Sequence, residues 1–228
     1  MIGVFDSGVG GLTTLGELHS RMPSEDICFL ADTKNAPYGT KNKEELKALV
    51  KNDISRLRSL GADRILIACC TASTLYDSLS EEERKICTPI IAPTAKRAAA
   101  VTKSGRIGVL ATERTVKSHL FSKEIHTMLP QAEVFEIAAG ELVNLAERGE
   151  CAGYISDTAR KTVQSTVEPF KMYNIDTLIL GCTHFPLFYE IISDTLRDAA
   201  LVSCSCEGAK ALPYKDAKEG GKLKFIFG

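Results

Sequence analysis

Cys69 and Cys182 each close a short apolar run and are followed at once by small polar residues, in Asp63-Arg64-Ile65-Leu66-Ile67-Ala68-Cys69-Cys70-Thr71 and Asp176-Thr177-Leu178-Ile179-Leu180-Gly181-Cys182-Thr183-His184. A thiol at the mouth of a cleft serves as a nucleophile or, once ionised, as a base, and its ordinary pKa of about 8.5 means that the site must favour deprotonation. A single cysteine is often just a small buried hydrophobe, but two matched placements in a repeated pattern weaken that reading. Two ionisable groups at strand ends are able to hold or relay a proton: His184, two residues beyond Cys182, and Asp6, near the end of Met1-Ile2-Gly3-Val4-Phe5-Asp6-Ser7. For Asp6 a loop-ordering or helix-capping role fits equally well. Cys28, Cys87 and Cys151 lack any such setting and read as structural.

These residues need a frame. Residues 1–5, 64–68, 106–110 and 177–180 have the apolar runs of strands, and 43–60 carries Leu46, Leu49, Val50, Ile54 and Leu57 at helical spacing, with further helices expected over 115–127, 141–148 and 156–173. Strands alternating with helices predict an α/β fold with mainly parallel sheets. The halves also repeat: Met1-Ile2-Gly3-Val4-Phe5-Asp6-Ser7 matches Arg106-Ile107-Gly108-Val109-Leu110-Ala111-Thr112, and the two cysteine segments match each other. The expectation is two pseudo-symmetric α/β domains, residues 1–92 plus about 204–228 and residues 93–203, with a hinge near Ala92-Pro93-Thr94 and residues 223–227 adding a strand to the first. One strand-end cysteine then faces the interdomain cleft from each side.

Ligands of open α/β sheets bind beyond the carboxyl ends of the strands, which selects Asp6-Ser7, Cys69-Cys70-Thr71, Ala111-Thr112 and Cys182-Thr183-His184. Gly8-Val9-Gly10-Gly11 lets backbone N–H groups approach an anion, but it lacks the third spaced glycine of a dinucleotide fingerprint and the Gly-Lys-Ser/Thr of a phosphate loop. The segment Asp32-Thr33-Lys34-Asn35-Ala36-Pro37-Tyr38-Gly39-Thr40 reads as a rigid turn displaying hydroxyl and amide groups, and a bland turn has no need of Tyr38. Glu147, beside the face formed by Leu142, Leu145 and Ala146, reads as a solvated helix residue.

Composition narrows the partner. Of 228 residues 44% are hydrophobic and 25% charged, with 28 basic and 29 acidic side chains, and no dense Lys/Arg run points to nucleic acid or a membrane surface. A small molecule is the expected partner. The N-terminus lacks the basic and long apolar regions of a signal peptide and no apolar run approaches about 20 residues, so the expected location is the cytoplasm. Eight cysteines without a C-x-x-C pair, and four histidines off zinc-finger spacing, predict reduced thiols and no structural metal.

Val4-Phe5-Asp6-Ser7-Gly8-Val9-Gly10-Gly11-Leu12, the Asp32-Thr33 and Pro37-Tyr38-Gly39-Thr40 segment, Ala68-Cys69 with Thr71-Ala72-Ser73, and Leu180-Gly181-Cys182-Thr183-His184-Phe185-Pro186-Leu187 together resemble the glutamate racemase family, in order, from residue 1 to about 195. The resemblance implies interconversion of L- and D-glutamate without pyridoxal phosphate or metal. One thiolate removes the α-proton while the opposite thiol protonates the other face. Cys69 would act on D-glutamate and Cys182 on L-glutamate, with Asp6 and His184 assisting. Ser7, Pro37, Tyr38, Gly39, Cys70, Thr71, Thr112 and Thr183 would surround the substrate. It further implies a homodimer that supplies D-glutamate for peptidoglycan. Two departures bear on this. Cys70 stands where the family reads Asn, replacing an amide by a poor donor at a cost of about 1–3 kcal/mol if a substrate hydrogen bond is lost, and it could form a strained vicinal disulfide with Cys69. Family members also usually continue past the equivalent of Lys224-Phe225-Ile226-Phe227-Gly228 into a further helix. Aspartate as substrate, and a binding homologue without turnover, are the alternatives that the Cys70 departure raises.

Overall fold

Apolar runs in which every residue is buried, as in Ile2–Asp6, Ile27–Ala31 and Thr177–Gly181, belong to strands covered by helices on both faces, the usual condition of a parallel sheet. The computed structural model describes residues 1–151, 153, 155–213 and 221–228. Along the chain come β1 (Ile2–Asp6), α1 (Leu12–Arg21), β2 (Ile27–Ala31), α2 (Lys43–Ser59), β3 (Arg64–Ile67), α3 (Cys70–Ser73), α4 (Glu81–Ile86) and β4 (Cys87–Pro89). There follow α5 (Ile91–Val101), β5 (Arg106–Ala111), α6 (Glu113–Ser118), α7 (Leu120–Met128), β6 (Glu133–Ala138), α8 (Gly140–Glu147), α9 (Asp157–Val167), β7 (Thr177–Gly181), α10 (Tyr189–Thr195), β8 (Ala200–Ser203), α11 (Cys204–Ala211) and β9 (Leu223–Phe227).

The strands form two sheets, ordered β9-β2-β1-β3-β4 and β6-β5-β7-β8, and every pairing is parallel. The repeat in the sequence is a repeat in topology. In each sheet the first strand of the half is central, flanked on one side by the second and on the other by the third and fourth. β9 is the addition, pairing with β2 from Ile27↔Leu223 to Ala31↔Phe227. Alternating side chains fill a core on each face of each sheet: Phe5, Leu30 and Ile67 on one face of the first, Val4, Phe29 and Leu66 on the other; Leu110, Leu178 and Leu180 against Val109 and Ile179 in the second. α11 returns from the second sheet to pack on α1 and α5.

Three local departures have physical causes. The helix expected over 115–127 is broken at His119, whose left-handed φ of 52° separates α6 from α7. The helix expected over 156–173 is α-helical only to Val167, because Pro169 has no N–H to continue it, and Glu168–Tyr173 tightens to a 3-10 turn. Ala92-Pro93-Thr94, expected as a hinge, is the first turn of α5, where a proline forfeits no helical hydrogen bond. Among the described residues no helix is long and apolar enough to cross a membrane.

Candidate active site

The carboxyl ends of β1, β3, β5 and β7 converge on one cavity of about 150 Å³. It is lined by Asp6, Ser7, Pro37, Tyr38, Gly39, Cys69, Cys70, Thr71, Thr112, Cys182, Thr183 and His184, and also by Thr40, Glu113, Gly140, Val143 and Asn144. This space holds a small solute and is well below the size of a drug- or nucleotide-sized pocket. No lysine or arginine is among the described residues that line it.

Cys69 ends the β3 run and caps α3, with the Ala72 N–H donating to Sγ at 3.5 Å and Ser7 Oγ 3.7 Å away. Burial, then the neighbouring Asp6 carboxylate, push its thiol far up, against a smaller pull from the Ala72 N–H. Asp6 is fully buried. Thr183 Oγ1 donates to its Oδ2 at 3.0 Å across the gap between sheets, while Oδ1 is buried without a partner. Burial raises this carboxyl, and His184, Thr183, the Ser7 N–H and the Cys69 thiol draw it back. Asp6 and Cys69 are thus adjacent groups able to share a proton.

On the opposite side Cys182 Sγ lies 3.5 Å from His184 Nδ1, and His184 Nε2 lies 2.6 Å from Glu147 Oε1. Burial works against a charge on this imidazole, but the contacts with Cys182 and Glu147 and the charge of Asp6 outweigh it and hold His184 protonated well above its ordinary range. Glu147 is correspondingly lowered by His184 and by the Val9 N–H, against its own desolvation. The glycine segment explains how the halves close so tightly. A Cβ on Gly10 would lie 2.6 Å from His184 Cε1 and Nδ1, and one on Gly8 would lie 2.6 Å from Glu147 Oε1. The anion met by the Gly8–Gly11 backbone is therefore the protein's own Glu147.

The hydroxyls of Thr71, Thr112 and Thr115 form a cluster at the cleft, with Thr112 Oγ1 3.0 Å from each of the others. Cys70 lines the cavity, yet its thiol is engaged with buried Cys204 and packs with Ile90 and Ile91; this contact and burial push it well up. All of the described cysteines are free thiols, Cys69 and Cys70 included.

The chain matches the profile of the Asp/Glu/Hydantoin racemase family over residues 17–207. It belongs to that family. A glutamate racemase of Geobacter metallireducens is 36% identical over 97% of this chain and 81% of its own length. Among solved structures, the glutamate racemase of Francisella tularensis in complex with D-glutamate superposes with a TM-score of 0.85 at 30% identity, covering 99% of this chain and 87% of that one. The isoform RacE1 from Bacillus anthracis gives 0.86 at 30% identity over 100% and 88%. The two parallel sheets with their helices are the racemase architecture.

Within this candidate site the residue missed from sequence is Glu147. Its helix buries Leu142, Leu145 and Ala146, which suggested that Glu147 faced solvent. Its side chain is indeed partly solvated, but Gly140, Val143, Asn144 and Glu147 also recur at three- and four-residue spacing along a second stripe that meets the cleft. That spacing was the available signal.

Proposed function

We propose that this racemase interconverts L- and D-glutamate by two-thiol proton transfer at the α-carbon. The observation that carries the reading is the pair of strand-end thiols entering one small cavity from opposite sheets, each with its own proton partner. Cys69 has Asp6; Cys182 has His184, backed by Glu147. With Cys69 as base on D-glutamate and Cys182 on L-glutamate, each enantiomer loses its α-proton to one thiolate and gains a proton from the other thiol, so inversion follows from geometry. The burial that pushes Cys69 up is offset when the substrate ammonium enters beside it, since a nearby positive charge favours the thiolate. Ser7, Thr71, Thr112 and Thr183, with the Pro37-Tyr38-Gly39 backbone, hold the carboxylates through neutral donors. Preorganised dipoles of this kind stabilise developing negative charge without a fixed cation.

The same reading takes each sheet with its helices as a domain, residues 1–92 with 204–228 and residues 93–203, closing on the substrate. It makes the protein a cytoplasmic homodimer that needs neither metal nor organic cofactor and supplies D-glutamate for peptidoglycan. The test is turnover of purified, reduced protein on L-glutamate, D-glutamate and L-aspartate, with Cys69→Ser and Cys182→Ser alongside. Each serine variant is expected to lose about 10²–10⁴-fold, the usual worth of a positioned proton-transfer group. Preference for aspartate, or full activity in either variant, contradicts the reading.

A further inference from the structure

Tyr38 Oη lies 2.6 Å from Oδ2 of Asp32 and 2.6 Å from Oδ2 of Asp53. A phenol carries one hydrogen, so it donates to only one of these carboxyl groups, and the second contact at that length requires a hydrogen from the other. All three side chains are out of solvent. The two acids differ in what else they touch. Asn35 Nδ2 donates to both oxygens of Asp32 at 2.9 Å, whereas Oδ1 of Asp53 is buried with no partner. An ionised carboxylate needs donors around it when buried, so the negative charge belongs on Asp32 and the extra proton on Asp53.

We propose that Asp53 is held as a neutral carboxylic acid whose hydroxyl donates to Tyr38, which in turn donates to Asp32, and that this relay positions the Pro37-Tyr38-Gly39 wall of the substrate cavity. Asp53 is then a positioning residue. The inference rests on the racemase reading for its consequence in catalysis but not for its proton. The groups that face Asp53 are Tyr38 from the substrate loop, Asp32 from the end of β2 and Arg56 from its own helix, with Gly228 beyond β9 lying against Asp32 and Arg56. Burial foremost, and then Asp32, push the Asp53 carboxyl up to about 7, against the pull of Tyr38 and Arg56. Because the folded value lies above the ordinary one, the fold loses stability as pH rises from about 4 to about 7, and the loss is complete above that range. Above about 7 two carboxylates share one phenolic hydrogen, and the wall carrying Tyr38 loosens.

The proton is tested without substrate, by infrared spectroscopy. In the difference between the wild-type and Asp53→Asn spectra, a protonated-carboxyl carbonyl band is expected at pH 6 and lost by pH 8.5. Asp6 is a second buried acid, so the assignment to Asp53 requires the variant. Should Asp53→Asn fail to fold, Tyr38→Phe removes the acceptor and shifts the band to the position of a free acid. A wild-type minus Asp53→Asn difference that lacks this band, or a pH-dependent band unmoved in Tyr38→Phe, overturns the proposal. The positioning role is read from KM for glutamate. The ratio of wild-type KM to that of Asp53→Asn is expected to climb to as much as about thirtyfold at pH 8.5, the factor by which the protonated fraction falls 1.5 units above about 7. A ratio that stays flat with pH overturns the role. Absence of any glutamate turnover would strike the racemase reading and leave the infrared result standing.

Discussion

Glu147→Gln keeps the shape of the side chain behind His184 and removes its charge. Oε1 lies 2.6 Å from His184 Nε2, and the glutamine oxygen still accepts from that N–H, so what is lost is the charge assistance alone. A hydrogen bond to a charged group is worth about 1.5–3 kcal/mol. The Glu147 side chain is 35% exposed, so solvent screening brings this to about 1–1.5 kcal/mol, or close to tenfold in rate. The two enantiomers have equal free energy, so kcat/KM must fall by the same factor in both directions. The direction-specific signal lies in isotope effects. With proton transfer at Cys182 slowed, α-deuterated L-glutamate, whose deuteron goes to Cys182, should show a larger primary effect than α-deuterated D-glutamate, whose deuteron goes to Cys69. His184 also gives up its proton at a lower pH once Glu147 is neutral, so any alkaline limb that it sets moves downward. Steady-state progress curves in both directions, with protiated and deuterated substrates, supply all three readouts. A loss below twofold, or the larger isotope effect on D-glutamate, refutes the assignment of Glu147 to the Cys182 side.

Gly10→Ala places a methyl 2.6 Å from the His184 ring and 2.7 Å from Thr183 Oγ1, so activity should collapse with a stability loss of about 1–3 kcal/mol, read by thermal denaturation beside the turnover assay. Retained activity would mean that the halves close less tightly than described. Cys70→Asn supplies an amide at the cavity while depriving Cys204 of its partner. KM for glutamate should fall about fivefold for a net hydrogen bond of about 1 kcal/mol, and the melting temperature should drop by about 2–4 °C per kcal/mol of lost packing. An unchanged KM would show that residue 70 does not reach the substrate.

Much of the site is readable in the chain because strand-end chemistry is local: the apolar runs before Cys69 and Cys182 set where each strand stops, and the parallel pairing Phe5↔Ile67 and Ala111↔Gly181 brings Asp6, Thr112 and both cysteines to one side. The fold class follows from the same runs. What eludes sequence is decided by the meeting of distant parts. Glu147 becomes a site residue only when α8 is pressed against Gly8-Val9, and the Cys70 thiol at the cavity is engaged only because α11 brings Cys204 beside it. Tyr38 stood out as excessive for a turn, but its two buried acids come from the end of β2 and the middle of α2. The break at His119 has only a faint sequence signal, since histidine is enriched at left-handed positions but adopts them in a small minority of cases.

The central claim is that two separate thiols serve the two faces of the α-carbon. The direct measurement is the fate of solvent deuterium in the first turnovers of L-glutamate in D₂O, with the two enantiomers separated and weighed for α-deuterium. The account predicts that every D-glutamate formed carries one α-deuteron while the remaining L-glutamate stays protiated. Product that retains the substrate's own proton, or deuterium appearing in unreacted L-glutamate from the start, would indicate a single base serving both faces and contradict it.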